Sequence, residues 1–245
     1  MLSGDKNPRV RKRFAGPAKA VPNTVVAACL NDKTAATGFP SSKAWRRAKP
    51  VLFDTDWQGK NPDPRRQTEV RLLWRPELLF LKFVARYRVI TVFDDSDSTG
   101  RRDRLWDRDV AEVFLQPDLS HLRCYKEFEV SPNGFWIDLE IANGVLQHIK
   151  SGLQHRVSID KAAKKWTAEL AIPMNSLAQH FDPASLWHVN FFRVEGPAEP
   201  RFYSAWQPTN TPQPNFHVPE RFGFLKFEPL PEAKPWKKNI SKSKK

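Results

Sequence analysis

Residues 104–117 read RLWDRDVAEVFLQP, and from Val110 to Leu115 every position but one is apolar. Successive side chains of an extended strand point to opposite faces, so Val110, Glu112 and Phe114 share one face and Ala111, Val113 and Leu115 the other. Such a strand is buried on both faces, and Glu112 is its exception. An unpaired buried carboxylate costs several kcal/mol. Glu112 therefore either pairs with an arginine or faces a polar ligand, and these residues leave both readings open.

The same period-two pattern continues outward. TEVRLLW (68–74) and LLFLKFVAR (78–86) flank Arg75-Pro76-Glu77 and read as a hairpin. Further strands are expected at 109–116, at YKEFEVS (125–131), and at FWIDLEI (135–141) after the turn Pro132-Asn133-Gly134. Trp166, Ala168, Leu170 and Ile172 alternate with polar or small residues, and WHVNFFRVE (187–195) and FGFLKF (222–227) complete eight or more strands. Helical signals are scarce, with MNSLAQHF (174–181) reading as about two turns. GKNPDPRRQ (59–67) and QPTNTPQPNFHVPE (207–220) read as surface loops. The expectation is an all-β protein, an antiparallel β-sandwich of jelly-roll type spanning residues 21–230, between a basic tail at 1–20 and a Lys-rich tail at 231–245.

Composition supports a folded body, since 40% of the 245 residues are hydrophobic and 12% aromatic. The formal charge of +13 invites a nucleic-acid or membrane-surface reading. Each tail carries +5 of it, which leaves only +3 on the body. The tails read as mobile, as aids to solubility or as nonspecific phosphate attractors, so neither a specific nucleic-acid partner nor a membrane partner is expected. The N-terminal stretch has no apolar segment after its charges, which places the chain as written in the cytoplasm, or secreted or periplasmic if a leader precedes it. Two cysteines, Cys29 and Cys124, allow at most one bridge and no CxxC metal site.

Searches for phosphate-loop, dinucleotide, GxSxG and HExxH motifs return nothing. Six scattered histidines lack ligand spacing, so no metal site is built on them and no cofactor is expected. Aromatic placement is more informative. Trp106 precedes the 109–116 strand, and Trp206 stands in FYSAWQPTN, where a strand meets a Pro/Asn-rich loop. Sugars offer C–H faces to aromatic rings and hydroxyls to carboxylates, amides and guanidinium groups. Two tryptophans at strand ends plus a carboxylate fit that need. Trp74, Trp136, Trp166 and Trp187 lie within apolar runs and are assigned to the core.

LWDRDVAEVFLQP, YKEFEVSPNG, WTAELAIPMNSL, WHVNFFRVEG, YSAWQPTN and FHVPERFGFLKF occur in that order. The set, across residues 45–228, resembles carbohydrate-binding module family 9 and its relatives. The resemblance implies a non-catalytic sandwich that grips the reducing end of a glucan or xylan chain between two tryptophans, at the positions of Trp106 and Trp206. It implies Glu112 as a sugar-binding carboxylate, and Asn190, Arg193, Arg123 and Asn210 are further candidate contacts. Mono-, di- or polysaccharide partners follow from it, as does a glycosidase partner, because such modules are attached to xylanases. It also implies structural calcium, for which Asp94–Ser98 (DDSDS) is the best candidate loop, although a solvated acidic turn is the plainer reading. A rival reading sets Asp107-Arg108-Asp109-Val110-Ala111-Glu112 beside the ExDxxE strand of glycoside hydrolase family 16. There Glu112 with Asp107 or Asp109 would supply the two carboxyl groups of an O-glycosyl hydrolase.

Overall fold

Thirteen strands and two one-turn helices organise residues 23–30 and 38–230, the part of the chain that the computed structural model describes. They are β1 (Thr24–Cys29), α1 (Ser42–Trp45), β2 (Val51–Phe53), β3 (Thr68–Arg75), β4 (Leu78–Arg86), β5 (Val110–Gln116), β6 (Cys124–Val130) and β7 (Trp136–Ala142). After these come β8 (Val145–His148), β9 (Gln154–Asp160), β10 (Lys165–Pro173), α2 (Met174–Leu177), β11 (Trp187–Glu195), β12 (Phe202–Ala205) and β13 (Gly223–Phe227). The first sheet runs β8-β7-β6-β5-β11-β13-β1 with β12 beside β11, and the second runs β1-β3-β4-β10-β9 with β2 beside β3.

β1 belongs to both sheets. Thr24–Ala27 pair with β13 and Ala28–Cys29 with β3, both in parallel, whereas the other strand pairings are antiparallel. A strand that changes sheets is a common way to turn the corner of a sandwich. The β3–β4 and β6–β7 hairpins form where the alternation places them, with Leu72 opposite Leu81 and Phe128 opposite Asp138.

Every residue of β5 is buried. Its Ala111, Val113 and Leu115 face inward, with Phe191 of β11, against Leu81 and Phe83 of β4 and Trp166 of β10, and this layer is the main core. Its Val110 and Phe114 face the other way and are covered by Leu105, Phe216 and Phe222 from two long loops. A third cluster, capped by α1, covers the far face of the second sheet through Trp45, Leu73 and Phe80.

Trp74, Trp166 and Trp187 are core residues, but Trp136, at the start of β7, is only half-buried against the main core, with the Arg101 guanidinium 5.8 Å from its ring. The helix expected over 174–181 stops after one turn, because Ala178 is extended and the chain carries Phe181 in among Trp74 and Trp187. No disulfide joins Cys29 and Cys124. Among the described residues no helix is long and apolar enough to cross a membrane. The two basic tails, and the mobility expected of them, lie outside the described residues.

Candidate functional site

The loop before β5 positions Trp106. Arg104 takes a left-handed conformation (φ 53°), and a 3-10 turn over Leu105–Asp107 follows. Leu105 is sealed against the outer face of the first sheet, and Trp106 beside it is left half-buried. The turn is fastened from the residue just before β12: the Arg201 guanidinium donates to the Trp106 carbonyl (2.8 Å) and to the Tyr203 hydroxyl (2.6 Å), and it pairs with Glu199 (3.0 Å). Trp106, Arg201 and Tyr203 line a cavity of about 200 Å³ together with Glu112, Glu127 and His217. The 214–217 loop covers it, with Phe216 stacked on Phe192 at 4.2 Å. His217 lies 2.9 Å from the Tyr125 hydroxyl. A second, wider hollow lined by Arg123, Tyr125, Asn143 and Glu220 adjoins it, sharing His217 and Leu146.

Strand register builds the floor. Glu112 of β5 stands directly opposite Glu129 of β6, and Phe114 opposite Glu127. Two residues apart on one strand, Glu127 and Glu129 share a face, so three carboxyl groups converge, with one oxygen from each lying within 4.8 Å of the others. All three are almost wholly removed from water, at 2%, 3% and 0% exposure for Glu112, Glu127 and Glu129. With all three ionised, Glu112 Oε1, Glu127 Oε2 and both oxygens of Glu129 have no hydrogen-bond donor among the described residues. Two charges ~5 Å apart repel by roughly 3 kcal/mol at an effective dielectric of ~20, so three bare charges here are strongly disfavoured.

Burial, then the Glu127 charge, pushes the Glu112 carboxyl well above the usual carboxylate range, against the pull of Arg201. Burial, then Glu112 and Glu127, does the same to Glu129, with Asp103 adding to it. Burial raises Glu127 as well, opposed by a hydrogen bond with Glu129, in which the Glu129 carboxyl holds the proton, and by His217.

No protein-family model matches the chain. Among curated proteins it is similar to one named "Extracellular protein" from Arthroderma benhamiae, 28% identical over 195 residues, which span 72% of this chain and 85% of the relative. Among solved structures it resembles a Bacteroides uniformis protein provisionally named carbohydrate-binding (TM-score 0.66, 17% identity), over 84% of this chain and 99% of the other. It also resembles family 9 carbohydrate-binding modules from Caldicellulosiruptor kristjanssonii. One is in complex with cellotriose (TM-score 0.58, 12% identity, 85% of this chain and 95% of the other) and one with glucose (0.59, 12%, 86% and 99%). The fold is that of the family 9 modules.

Within this family 9 fold the expected site residues separate. Trp106 and Glu112 line one cavity, and Arg123 lines the adjoining hollow. Trp206 does not join them. Ala205 pairs opposite Phe192 and shares its outer face, so the next residue points inward, and the Trp206 indole is 1% exposed. It packs 5.3 Å from Phe191, and a Cβ added at Gly223 would meet its ring at 2.6 Å. It is a core residue on the opposite face of the sheet from Trp106, which corrects the expected pair of facing walls.

Arg193 also faces inward, fully buried, donating to Glu195 (2.8 Å) and to the Arg86 carbonyl (3.0 Å). The Asn190 amide is consumed by backbone, donating to the Gln207 carbonyl and accepting from the Phe191 and Gln207 amides. Asn210 caps a loop through its own N–H to the Trp57 carbonyl and does not line the cavity.

The carboxylates of the hydrolase reading are held elsewhere. Asp107 pairs with Arg104 at 2.8 Å, and buried Asp109 accepts from the Gly196 and Thr91 amides, with burial raising its carboxyl to about 6. In the Asp94–Ser98 turn Asp97 accepts from Thr99 and the Arg101 amide, and Asp95 pairs with Arg102. The residues that sequence reasoning missed are Glu127, Glu129, Arg201, Tyr203 and His217. YKEFEVS did signal two carboxylates on the face of Tyr125, and FYSAW signalled Tyr203 and Ala205 on a face opposite Trp206.

Proposed function

We propose that this chain is a non-catalytic carbohydrate-binding protein that takes a glucan- or xylan-type sugar in the cavity of Trp106. The observation that carries the reading is the half-buried Trp106 opening onto the same cavity as the Glu112 carboxyl, beside the Arg201, Tyr203 and His217 polar groups. Trp106 would stack on a pyranose face, and the polar groups would meet its hydroxyls. Tyr203, on the outer face of the same sheet, takes the place expected of Trp206 as the second aromatic group.

At about 200 Å³ the cavity is smaller than the ~300–1,000 Å³ that drug-sized ligands occupy, which favours one terminal ring over a run of chain and so supports the reducing-end reading. The complexes of the Caldicellulosiruptor modules with cellotriose and glucose support a glucose-type ligand. The name of the Arthroderma relative supports a secreted setting.

Calorimetry with glucose, cellobiose, xylobiose and the borohydride-reduced disaccharides tests this. Binding of the unreduced sugars, lost on reduction and weakened about tenfold by Trp106→Ala, is the expected result. Absence of binding at millimolar sugar, or equal affinity in Trp106→Ala, would defeat the reading. Release of reducing sugar from glucan or xylan that disappears in Glu112→Gln would replace it with the hydrolase.

A further inference from the structure

We propose that Glu112, Glu127 and Glu129 together hold one hard divalent cation of calcium size at the floor of the cavity. The acidic cluster has a geometry that suits such an ion. Calcium takes oxygen ligands at ~2.3–2.6 Å, so its coordination sphere is ~4.8 Å across, and one oxygen of each glutamate lies within 4.8 Å of the other two. All ligand atoms are carboxylate oxygens, which select calcium, magnesium or manganese over softer metals.

Independent of the clustering, the buried oxygens lack donors. Glu129 is fully buried with both oxygens unpartnered, and Glu112 Oε1 and Glu127 Oε2 are in the same condition. Buried polar atoms in native proteins are nearly always satisfied. The polar groups that flank the cluster are already engaged, Arg201 by Glu199 and Tyr203, and His217 by Tyr125. Asp103, the other charged group acting on it, adds negative potential. Either protons or a metal ion must neutralise the three carboxyls; a shared proton joins Glu127 to Glu129 as a pair, whereas an ion takes one oxygen from each of the three at once. Since Glu112 and Glu127 line the cavity, the ion's remaining positions open toward it. The inference does not rest on the sugar reading, and Glu129, its deepest ligand, does not line the cavity.

The test uses the chelator-treated full chain without sugar, titrated with calcium and then manganese chloride by calorimetry at pH 7. One ion per chain is expected, with a heat that varies with the buffer because uptake displaces protons. Glu129→Gln should weaken uptake at least tenfold, whereas Asp97→Asn in the acidic turn should leave it unchanged. Trp106→Ala, which removes a ring and no oxygen ligand, should keep the ion while losing sugar affinity, so the two readings fail separately. No uptake, or uptake that survives Glu129→Gln or vanishes in Asp97→Asn, overturns the proposal. If Glu129→Gln does not fold, anomalous scattering from manganese-soaked crystals decides. A peak between the three carboxyls supports the site, and a map without one there overturns it.

Discussion

Replacing Trp206 with alanine separates a core tryptophan from a sugar wall. The ring is 1% exposed, packs against Phe191, and fits over Gly223 with no room for a methyl group. Truncating a buried Phe or Trp costs ~3–5 kcal/mol through lost transfer energy and the cavity left behind. The Trp206 Nε1 proton has no acceptor among the described residues, so the wild type already carries an unsatisfied donor worth ~1–3 kcal/mol, which the substitution relieves. The expected loss is therefore near the lower bound, about 3 kcal/mol. For a domain of this size that lowers the melting temperature by roughly 6–12 °C.

Trp206→Phe keeps most of the volume and removes the orphaned N–H, so it should lose less. Urea and thermal melts measure both variants, and calorimetry below the transition measures sugar affinity of the folded protein, which should stay within twofold of wild type. A Trp206→Ala protein with wild-type melting and abolished sugar binding would refute the assignment of this ring to the core.

Three further outcomes follow from buried contacts. Gly223→Ala places a Cβ 2.6 Å from the Trp206 ring and 2.7 Å from the Asn23 carbonyl, and neither neighbour is free to yield. Overpacking of that kind should cost about 2–3 kcal/mol in a urea melt, and a neutral result would mean that the ring shifts easily. Arg193→Ala leaves the Glu195 carboxylate buried with Arg66 at 3.2 Å as its one remaining ion-pair partner among the described residues, so a loss of about 3 kcal/mol is expected, with sugar affinity unchanged below the transition. Burial raises the Asp109 carboxyl from its ordinary 3.8 to about 6, so the folded state holds that proton more tightly than the unfolded chain. Its contribution favours folding below about pH 4, falls by up to about 3 kcal/mol as the pH climbs to about 6, and is flat above. Asp109→Asn should flatten that slope in melts across pH 4–7, and an unchanged slope would point to other groups.

The architecture was legible wherever one strand carried its own pattern. VAEVFLQ announces burial on both faces, and LLFLKFVAR announces the strand that lies across the sandwich from it. The edge strand QHRVSID escaped because it is mostly exposed and only Val157 and Ile159 mark its alternation. Trp206 was misassigned because FYSA is too short to fix its own parity. Only the pairing of Ala205 with Phe192 shows which way the next side chain turns. Arg193 was misassigned for a different reason: it shares the inner face of Trp187, Val189 and Phe191, but a charged group there reads as a ligand contact until its buried partner Glu195 is seen. The convergence of Glu112 with Glu129 depends on the β5–β6 register, which alternation within either strand does not determine.

Strand β1 has a consequence for biosynthesis. Its first four residues pair with β13, the last strand of the sandwich, so Thr24 meets Phe224 across 200 positions of chain. A ribosome emits the N-terminal partner long before the C-terminal one exists. Until β13 emerges, the β1-facing edge of the first sheet stays open and the inward faces of Leu225 and Phe227 are missing from the core. Long-range pairing of this kind slows folding and exposes unpaired edges to neighbouring chains. Nascent chains halted before residue 223 should therefore be held by chaperones and cleaved readily. Protection should arrive in one step when the final strand locks the first into place.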